Sequence, residues 1–363
     1  MRVLMLSWRY LGHPQAGGAE VMTHEILRRL VDRGHEVTAF TGADPSLPRE
    51  QRIDGVRVIR VGRQWTVHVR AWLWLRRRLD WFDRVIDQIN TIPFFTPGYV
   101  PGGKRRGWIH QLAREYWWTE TRGAFRLISP LGYIAEPYYL RAYRRTDMLS
   151  LSESTSADLR RTGIPADRIR IVPAAIEFDR LPELPAGPPG FRIVMLSRLT
   201  PAKHIEEGIA AYALVKRRVP EAELVIAGSG DARYEERLRR QVADLGLAGV
   251  HFAGRLSEAD KRALLRSASV HLFTSHREGW GLVVSEAAAL GTPSVGYDVP
   301  GVRDSIADPR LLGEAGRPET LAARLQSLAA DPGLYEAVRR QGWERAGRLS
   351  YEATTASFEA ALG

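Results

Sequence analysis

Ser269-Val270-His271-Leu272-Phe273-Thr274-Ser275-His276-Arg277-Glu278-Gly279-Trp280-Gly281-Leu282-Val283-Val284-Ser285-Glu286 carries the main signal of this chain. The apolar run 269–274 predicts a buried strand, and the segment 278–286 that follows opens a helix running to about Leu290. The first N–H groups of a helix need partners. Gly279, Trp280 and Gly281 supply no Ser, Thr, Asp or Asn cap, so those groups are open to an external anion. Glu278 before the helix and Glu286 within it can bracket a hydroxyl-rich ligand. The plain alternative leaves Glu286 a solvated helix residue.

The same strand-then-helix unit repeats along the chain. Apolar runs fall at 2–7, 36–41, 56–61, 84–89, 107–110, 147–151 and 169–173, then at 191–197, 222–228, 250–253, 269–274 and 293–297. Such runs between amphipathic stretches indicate parallel strands covered on both faces. In the first helix Ala19, Met22, Ile26 and Leu30 recur at helical spacing, and Gly34 stands at the C-terminal cap. Between the halves, Leu181-Pro182-Glu183-Leu184-Pro185-Ala186-Gly187-Pro188-Pro189-Gly190 cannot continue a helix or join a sheet interior. The expected organisation is therefore α/β. A first Rossmann-like domain spans 1–180, a linker 181–190, a second Rossmann-like domain 191–345, and a C-terminal helix 346–363. Ligands belong at the carboxyl ends of the strands.

Composition narrows the function. The chain has 363 residues, 52 Lys and Arg against 42 Asp and Glu, and a net charge of +10. Residues 1–185 hold 29 basic and 20 acidic residues, so +9, while the remainder holds 23 and 22, so +1. Eight of the ten Trp precede residue 119. The first half therefore meets a different partner from the second. There is no Cys, which excludes disulfides and thiolate chemistry and fits a reducing, cytoplasmic setting. No apolar run reaches the roughly 18–20 residues of a membrane span.

Several motifs fail. Gly98-Tyr99-Val100-Pro101-Gly102-Gly103-Lys104-Arg105 lacks the Ser or Thr of a P-loop. His24-Glu25 lacks the second His of a zinc protease, and no Gly-x-Ser-x-Gly or Asp-x-Asp occurs. No tightly bound catalytic metal and no cofactor are expected.

Others stand where a ligand is expected. Gly17-Gly18-Ala19-Glu20 opens the first helix, and Arg198 with Lys203 follows strand 191–197, where two cations suit a diphosphate. Gly228-Ser229-Gly230 follows strand 222–227 and permits close backbone approach.

Taken together, Glu278-x7-Glu286, Gly17-Gly18-Ala19-Glu20 and Arg198-Leu199-x3-Lys203 resemble the family 4 retaining glycosyltransferases of the GT-B fold, and the resemblance covers essentially the whole chain. It implies two Rossmann-like domains facing each other across a cleft, with the C-terminal helix returning to the first. It implies that the second domain binds a nucleotide-diphosphate sugar (UDP or GDP) and the first an acceptor. Arg198 and Lys203 match the diphosphate pair, Glu278 the Glu facing the donor sugar, and Gly279 to Leu282 the backbone beside sugar and phosphate. Glu286 matches the Glu on the ribose hydroxyls, Gly17 and Gly18 a loop over the phosphates, and His110 a His near the reacting centre. The base is expected near Gly228, Ser229, Gly230 and Arg255. Two departures stand out: His204 replaces a Gly after the Lys, and Trp280 replaces a Phe.

Of the remaining histidines, His251 and His271 read as packed strand residues, His276 as able to reach the donor, and His13 as an alternative general base. Residues 63–81 mix Arg63, Arg70, Arg76, Arg77 and Arg78 with Trp65, Trp72, Trp74 and Trp81. They form either an interfacial helix on an anionic membrane or a helix whose Trp65 and Trp72 pack on the sheet. Lys104, Arg105, Arg106, Arg114, Trp117 and Trp118 surround His110 in sequence and suggest an acceptor site, for a saccharide or lipid-linked acceptor at the cytoplasmic membrane face. The competing classes are a nucleotide-sugar epimerase, a phosphorylase, and a basic nucleic-acid-binding protein without a recognition motif.

Overall fold

The computed structural model describes residues 1–14, 16–114, 117, 129–176 and 180–363. The chain divides into two units. One comprises Met1–Ala175 with Ser350–Gly363, the other Ile176–Leu349.

The first unit is built on eight strands: β1 (Arg2–Leu6), β2 (Glu36–Thr41), β3 (Glu50–Ile53), β4 (Val56–Arg60), β5 (Arg84–Ile89), β6 (Arg105–Ile109), β7 (Asp147–Ser150) and β8 (Ile169–Ile171). Their order is β3-β4-β2-β1-β5-β6-β7-β8, and only the β3–β4 pair is antiparallel. Strand β3 has no apolar run and does not show in the hydrophobic pattern. Its cue is the turn: Asp54 and Gly55 both take positive φ, 45° and 81°, the Asp-Gly hairpin signature.

Helices α1 (Gly18–Asp32), α2 (Val67–Leu75), α3 (Ser129–Leu140) and α4 (Glu153–Arg161) belong to this unit. Helix α1 buries Met22, Ile26 and Leu30 and is followed by Gly34 at φ +85°.

The second unit carries six parallel strands: β9 (Arg192–Leu196), β10 (Glu223–Ala227), β11 (Val250–Gly254), β12 (Val270–Phe273), β13 (Ser294–Tyr297) and β14 (Leu312–Gly313), in the order β11-β10-β9-β12-β13-β14. Ile193, Met195, Leu224, Ile226, Val270, Leu272 and Val295 form its core. The helices are α5 (Ile205–Lys216), α6 (Ala232–Asp244), α7 (Glu258–Arg266), α8 (Leu282–Ala289), α9 (Val302–Ile306), α10 (Pro318–Ala330) and α11 (Pro332–Ala346).

Residues 181–190, expected as a linker, lie within this second unit. Leu181 N donates to Ala289 O (3.0 Å), Trp343 Nε1 to Leu181 O (3.1 Å) and Arg339 Nη2 to Pro185 O (2.7 Å). Pro and Gly exclude helix and sheet, but not an extended segment packed along a helix. The final helix, α12 (Tyr351–Leu362), belongs to the first unit. Arg33 Nη1 donates to Glu359 (2.6 Å), and Arg106 Nε and Nη2 cap the Ala361 and Leu362 carbonyls (3.0 and 2.9 Å).

Both sheets reverse strand order at a central pair, β1–β5 in the first and β9–β12 in the second. Open parallel sheets bind ligands outside the carboxyl ends of such a pair. The loops after β9 and β12 carry Arg198, Lys203 and Glu278.

Candidate active site

In the second unit, the β9 and β12 loops meet. Lys203 Nζ donates to Glu278 Oε1 in an ion pair, with the two side chains only 13% and 14% exposed. Thr274 Oγ1 donates to the Lys203 carbonyl (2.7 Å), lacing the loops together. The pair is two charges held at the carboxyl end of the sheet's central strands, each the counter-ion of the other. Arg198 is exposed two residues past β9.

Gly281 stands at the N-cap of helix α8 with a φ of +87° that suits glycine, and no side chain caps the helix. Trp280 folds inward: its indole Nε1 donates to Ser285 Oγ (2.9 Å) and the ring is 8% exposed. Glu286 is buried on the same helix. Lys261 on α7, which carries no sequence signal, places Nζ 3.4 Å from Glu286 Oε1 and 2.6 Å from Glu258 Oε2.

Gly228 and Gly230 have a structural reason distinct from ligand approach. A Cβ on Gly228 would lie 1.8 Å from the Ser197 carbonyl oxygen, and one on Gly230 2.0 Å from that of Leu199. They let the β10 loop lie against the β9 loop, where Leu199 N donates to Ser229 O (3.1 Å). Ser229 and Arg255 are exposed.

A further cluster lies beside Lys203. His204, at φ +48°, stacks on His276 with ring centroids 3.6 Å apart and planes 6° from parallel. Glu207 on α5 receives both rings, 3.1 Å from His204 Nδ1 and 3.0 Å from His276 Nε2. Burial opposes its charge, yet the hydrogen bonds from the two imidazoles prevail and hold this carboxyl well below the usual range. His276 is thus held by Glu207.

In the first unit, Gly17 caps α1 through its backbone: its N–H donates to Glu20 Oε2 (2.7 Å), and Arg9 Nε donates to Glu20 Oε1 (2.5 Å). His110 follows β6 and is buried, its ring 4.7 Å from Trp108 and its Nε2 3.4 Å from the Gln88 amide nitrogen. Burial pushes it down to about 4, so it is neutral at physiological pH. His13 stands edge-on to Trp8 at 5.7 Å, and partial burial lowers its basicity.

The basic cluster around His110 is split by the strand it flanks. Lys104 and Arg105 stand at the amino end of β6 and His110 at the carboxyl end, five residues or about 16 Å apart at ~3.3 Å per residue. Lys104 Nζ donates to Leu79 O (3.3 Å), and Arg105 Nε donates to Thr146 Oγ1 (2.7 Å). These two are corrected as neighbours of His110. Arg114 stacks over Tyr133 at 4.4 Å, and Trp117 is buried against Gly132 of α3. Trp118 lies outside the described residues.

Two other expectations change. His251 is exposed, because β11 is the sheet edge and alternates in burial; His271 is fully buried, 3.0 Å from Ser294 Oγ, and pushed down to about 3 by burial. Trp65 and Trp72 do not pack on the sheet: each is 42% exposed, and Val67, Ala71 and Leu75 form the buried face of α2. The helix is also shorter than 63–81.

The profile of the family described as "Glycosyl transferases group 1" matches residues 182–345, and that of "Glycosyltransferase Family 4" matches 16–180. A D-inositol 3-phosphate glycosyltransferase of Segniliparus rotundus is 29% identical over 255 residues, 65% of this chain and 55% of that protein. A glycogen synthase of Mycobacterium tuberculosis is 25% identical over 386 residues, covering 92% and 87%. The fold is shared with the sucrose-phosphate synthase of Thermosynechococcus elongatus, at a TM-score of 0.76 and 20% identity over 99% of this chain and 97% of that one.

Proposed function

The chain belongs to the group 1, family 4 glycosyltransferases of the GT-B fold, and we propose that it transfers a sugar, with retention of anomeric configuration, from a nucleotide-diphosphate sugar to a hydroxyl acceptor. The observation that carries this is the Lys203–Glu278 pair at the ends of the two strands flanking the second sheet's reversal. A diphosphate arriving there takes Lys203 as its cation, and Glu278 is released toward the sugar. Arg198 and the uncapped α8 terminus supply further positive charge. Glu286 accepts from the ribose hydroxyls. UDP and GDP are the proposed carriers.

The proposed reaction is a same-face displacement. The acceptor oxygen bonds to the anomeric carbon as the bond to the diphosphate oxygen breaks. The acceptor proton passes to the departing phosphate oxygen, so no side chain must act as nucleophile. Lys203, Arg198 and the helix terminus stabilise the charge that develops; removing one such donor typically costs on the order of 10²–10³ in rate. His110, neutral, can donate or accept a hydrogen bond. The chemistry is proposed to run on these groups without a metal or cofactor.

For the acceptor we propose a saccharide or lipid-linked hydroxyl presented at an anionic membrane surface. Support comes from α2 and α3. Trp65, Val69, Trp72 and Leu73 are exposed beside Arg70, Arg76, Arg77 and Arg78, and Leu131, Ile134 and Tyr138 are exposed on α3. The loop between β5 and β6 touches both helices, His68 against Phe94 at 4.6 Å and Tyr139 against the exposed Phe95 at 6.2 Å. Among the described residues no helix is long and apolar enough to cross a membrane; contact would be peripheral. Acceptor-dependent release of nucleoside diphosphate, with the product's anomeric configuration read by NMR, tests the reaction. Inversion in the product would remove the retaining mechanism.

A further inference from the structure

His204 is in an unusual position. A non-glycine residue in left-handed conformation is strained, and such strain persists where surrounding contacts hold it. Those contacts are the stacked His276 ring and Glu207, and neither is used by the transfer chemistry above. His204 Nδ1, His276 Nε2 and a Glu207 carboxylate oxygen all lie within 4.8 Å of one another. His204 Nδ1 lies 3.1 Å from one Glu207 carboxylate oxygen and His276 Nε2 3.0 Å from the other, each somewhat inside the roughly 3.4 Å donor–donor spacing of a tetrahedral ion with bonds near 2.1 Å. All three side chains are part-exposed, which leaves an entry path and room for water as a further ligand.

A second observation points into the same cluster. Tyr297 is fully buried and stands edge-on to His276 at 5.3 Å. Its hydroxyl faces the Glu207 carboxylate from the side opposite solvent. A carboxylate turned to hold a cation would present its other oxygen to this hydroxyl, the outer partner that metal-binding carboxylates usually have.

We propose that His204, Glu207 and His276 form a binding site for a divalent transition ion, zinc in the first instance. Two imidazoles and one carboxylate suit zinc, cobalt or nickel rather than magnesium or calcium. To bind an ion the two stacked rings would tilt so that both nitrogen lone pairs converge on it. The ion sits apart from the reacting atoms and acts as a brace. It ties the turn after Lys203, the first turn of α5, and the segment 274–278 that ends in Glu278. It thereby fixes how closely the two loops of the donor site approach.

The test uses the full chain, stripped of metal and without donor, so its outcome is independent of the transferase reading. Titration with Co²⁺ should give saturable ligand-field absorption at one ion per chain, and Zn²⁺ should displace it. His276→Ala and Glu207→Gln, checked for folding by circular dichroism, should each weaken binding by at least about 100-fold. Tyr297→Phe should weaken it by about tenfold, the lower end for an outer partner. His251→Asn, at an exposed histidine, should leave binding unchanged. Absence of saturable binding, or binding that survives both ligand substitutions in folded protein, would overturn the proposal and leave a hydrogen-bonded clamp.

Discussion

Lys203 and Glu278, 75 residues apart in sequence, neutralise each other at the carboxyl ends of β9 and β12. On the proposed function, a diphosphate donor would compete with a carboxylate already in place. Lys203→Ala should therefore fold normally, with an unchanged circular dichroism spectrum, and lose on the order of 10²–10³ in kcat. Near-wild-type turnover would remove Lys203 from the reaction.

Glu286 behaves differently, because its proposed partner is the ribose and not the leaving group. Glu286→Gln should weaken nucleotide affinity by roughly 10–100-fold, as expected for losing hydrogen bonds to a charged group. The effect should appear in KM for the donor more than in kcat. Lys261, left without this counter-ion, is the group to substitute in a double-mutant cycle.

The two buried histidines set an acid-side limit on stability. His110 is pushed down to about 4 and His271 to about 3, against about 6.5 in an unfolded chain. The unfolded state takes up protons below pH 6.5 that the folded state refuses until pH 4 or 3. Stability is therefore intact above pH 6.5 and falls as the pH drops toward 4. Urea unfolding at pH 7 and pH 5 should show the loss, and His271→Asn should make the difference smaller. An equal difference in the variant would mean that His271 does not carry it.

Much of this was legible in the residues. The βα alternation and the Glu278–Glu286 segment are local patterns, and most strands lie where the apolar runs put them. What the pattern could not show is long-range. Arg106 reads as part of a basic cluster near His110, but it caps the end of α12, 255 residues away. Lys261 reaches Glu286 only through the packing of α7 near α8. The Gly228 and Gly230 signal was visible, but the carbonyls that require it belong to the β9 loop.

That crowding gives a further expectation. Gly228→Ala places a methyl 1.8 Å from a backbone oxygen at φ +133°, so the β10 loop must shift. The variant should lose at least about 2 kcal/mol of stability, measured by denaturant midpoint. A neutral substitution would show that the loops are not packed as described.

For α2, binding to anionic vesicles at low salt is expected, falling as salt rises. Arg76→Ala combined with Arg77→Ala should weaken binding by about 2 kcal/mol, roughly 30-fold. Equal binding to neutral and anionic vesicles would contradict the role given to the arginines.

The donor site is tested most directly by thermal-shift measurements with UDP, GDP and ADP and their sugars, on the wild type and on Lys203→Ala. One nucleoside diphosphate and its sugar should raise the midpoint, since a ligand at 100 times its Kd stabilises by about 2.7 kcal/mol, and Lys203→Ala should abolish most of that shift. No shift with any of them, or an equal shift in the variant, would contradict the assignment of Lys203 and Glu278 to a nucleotide-diphosphate sugar.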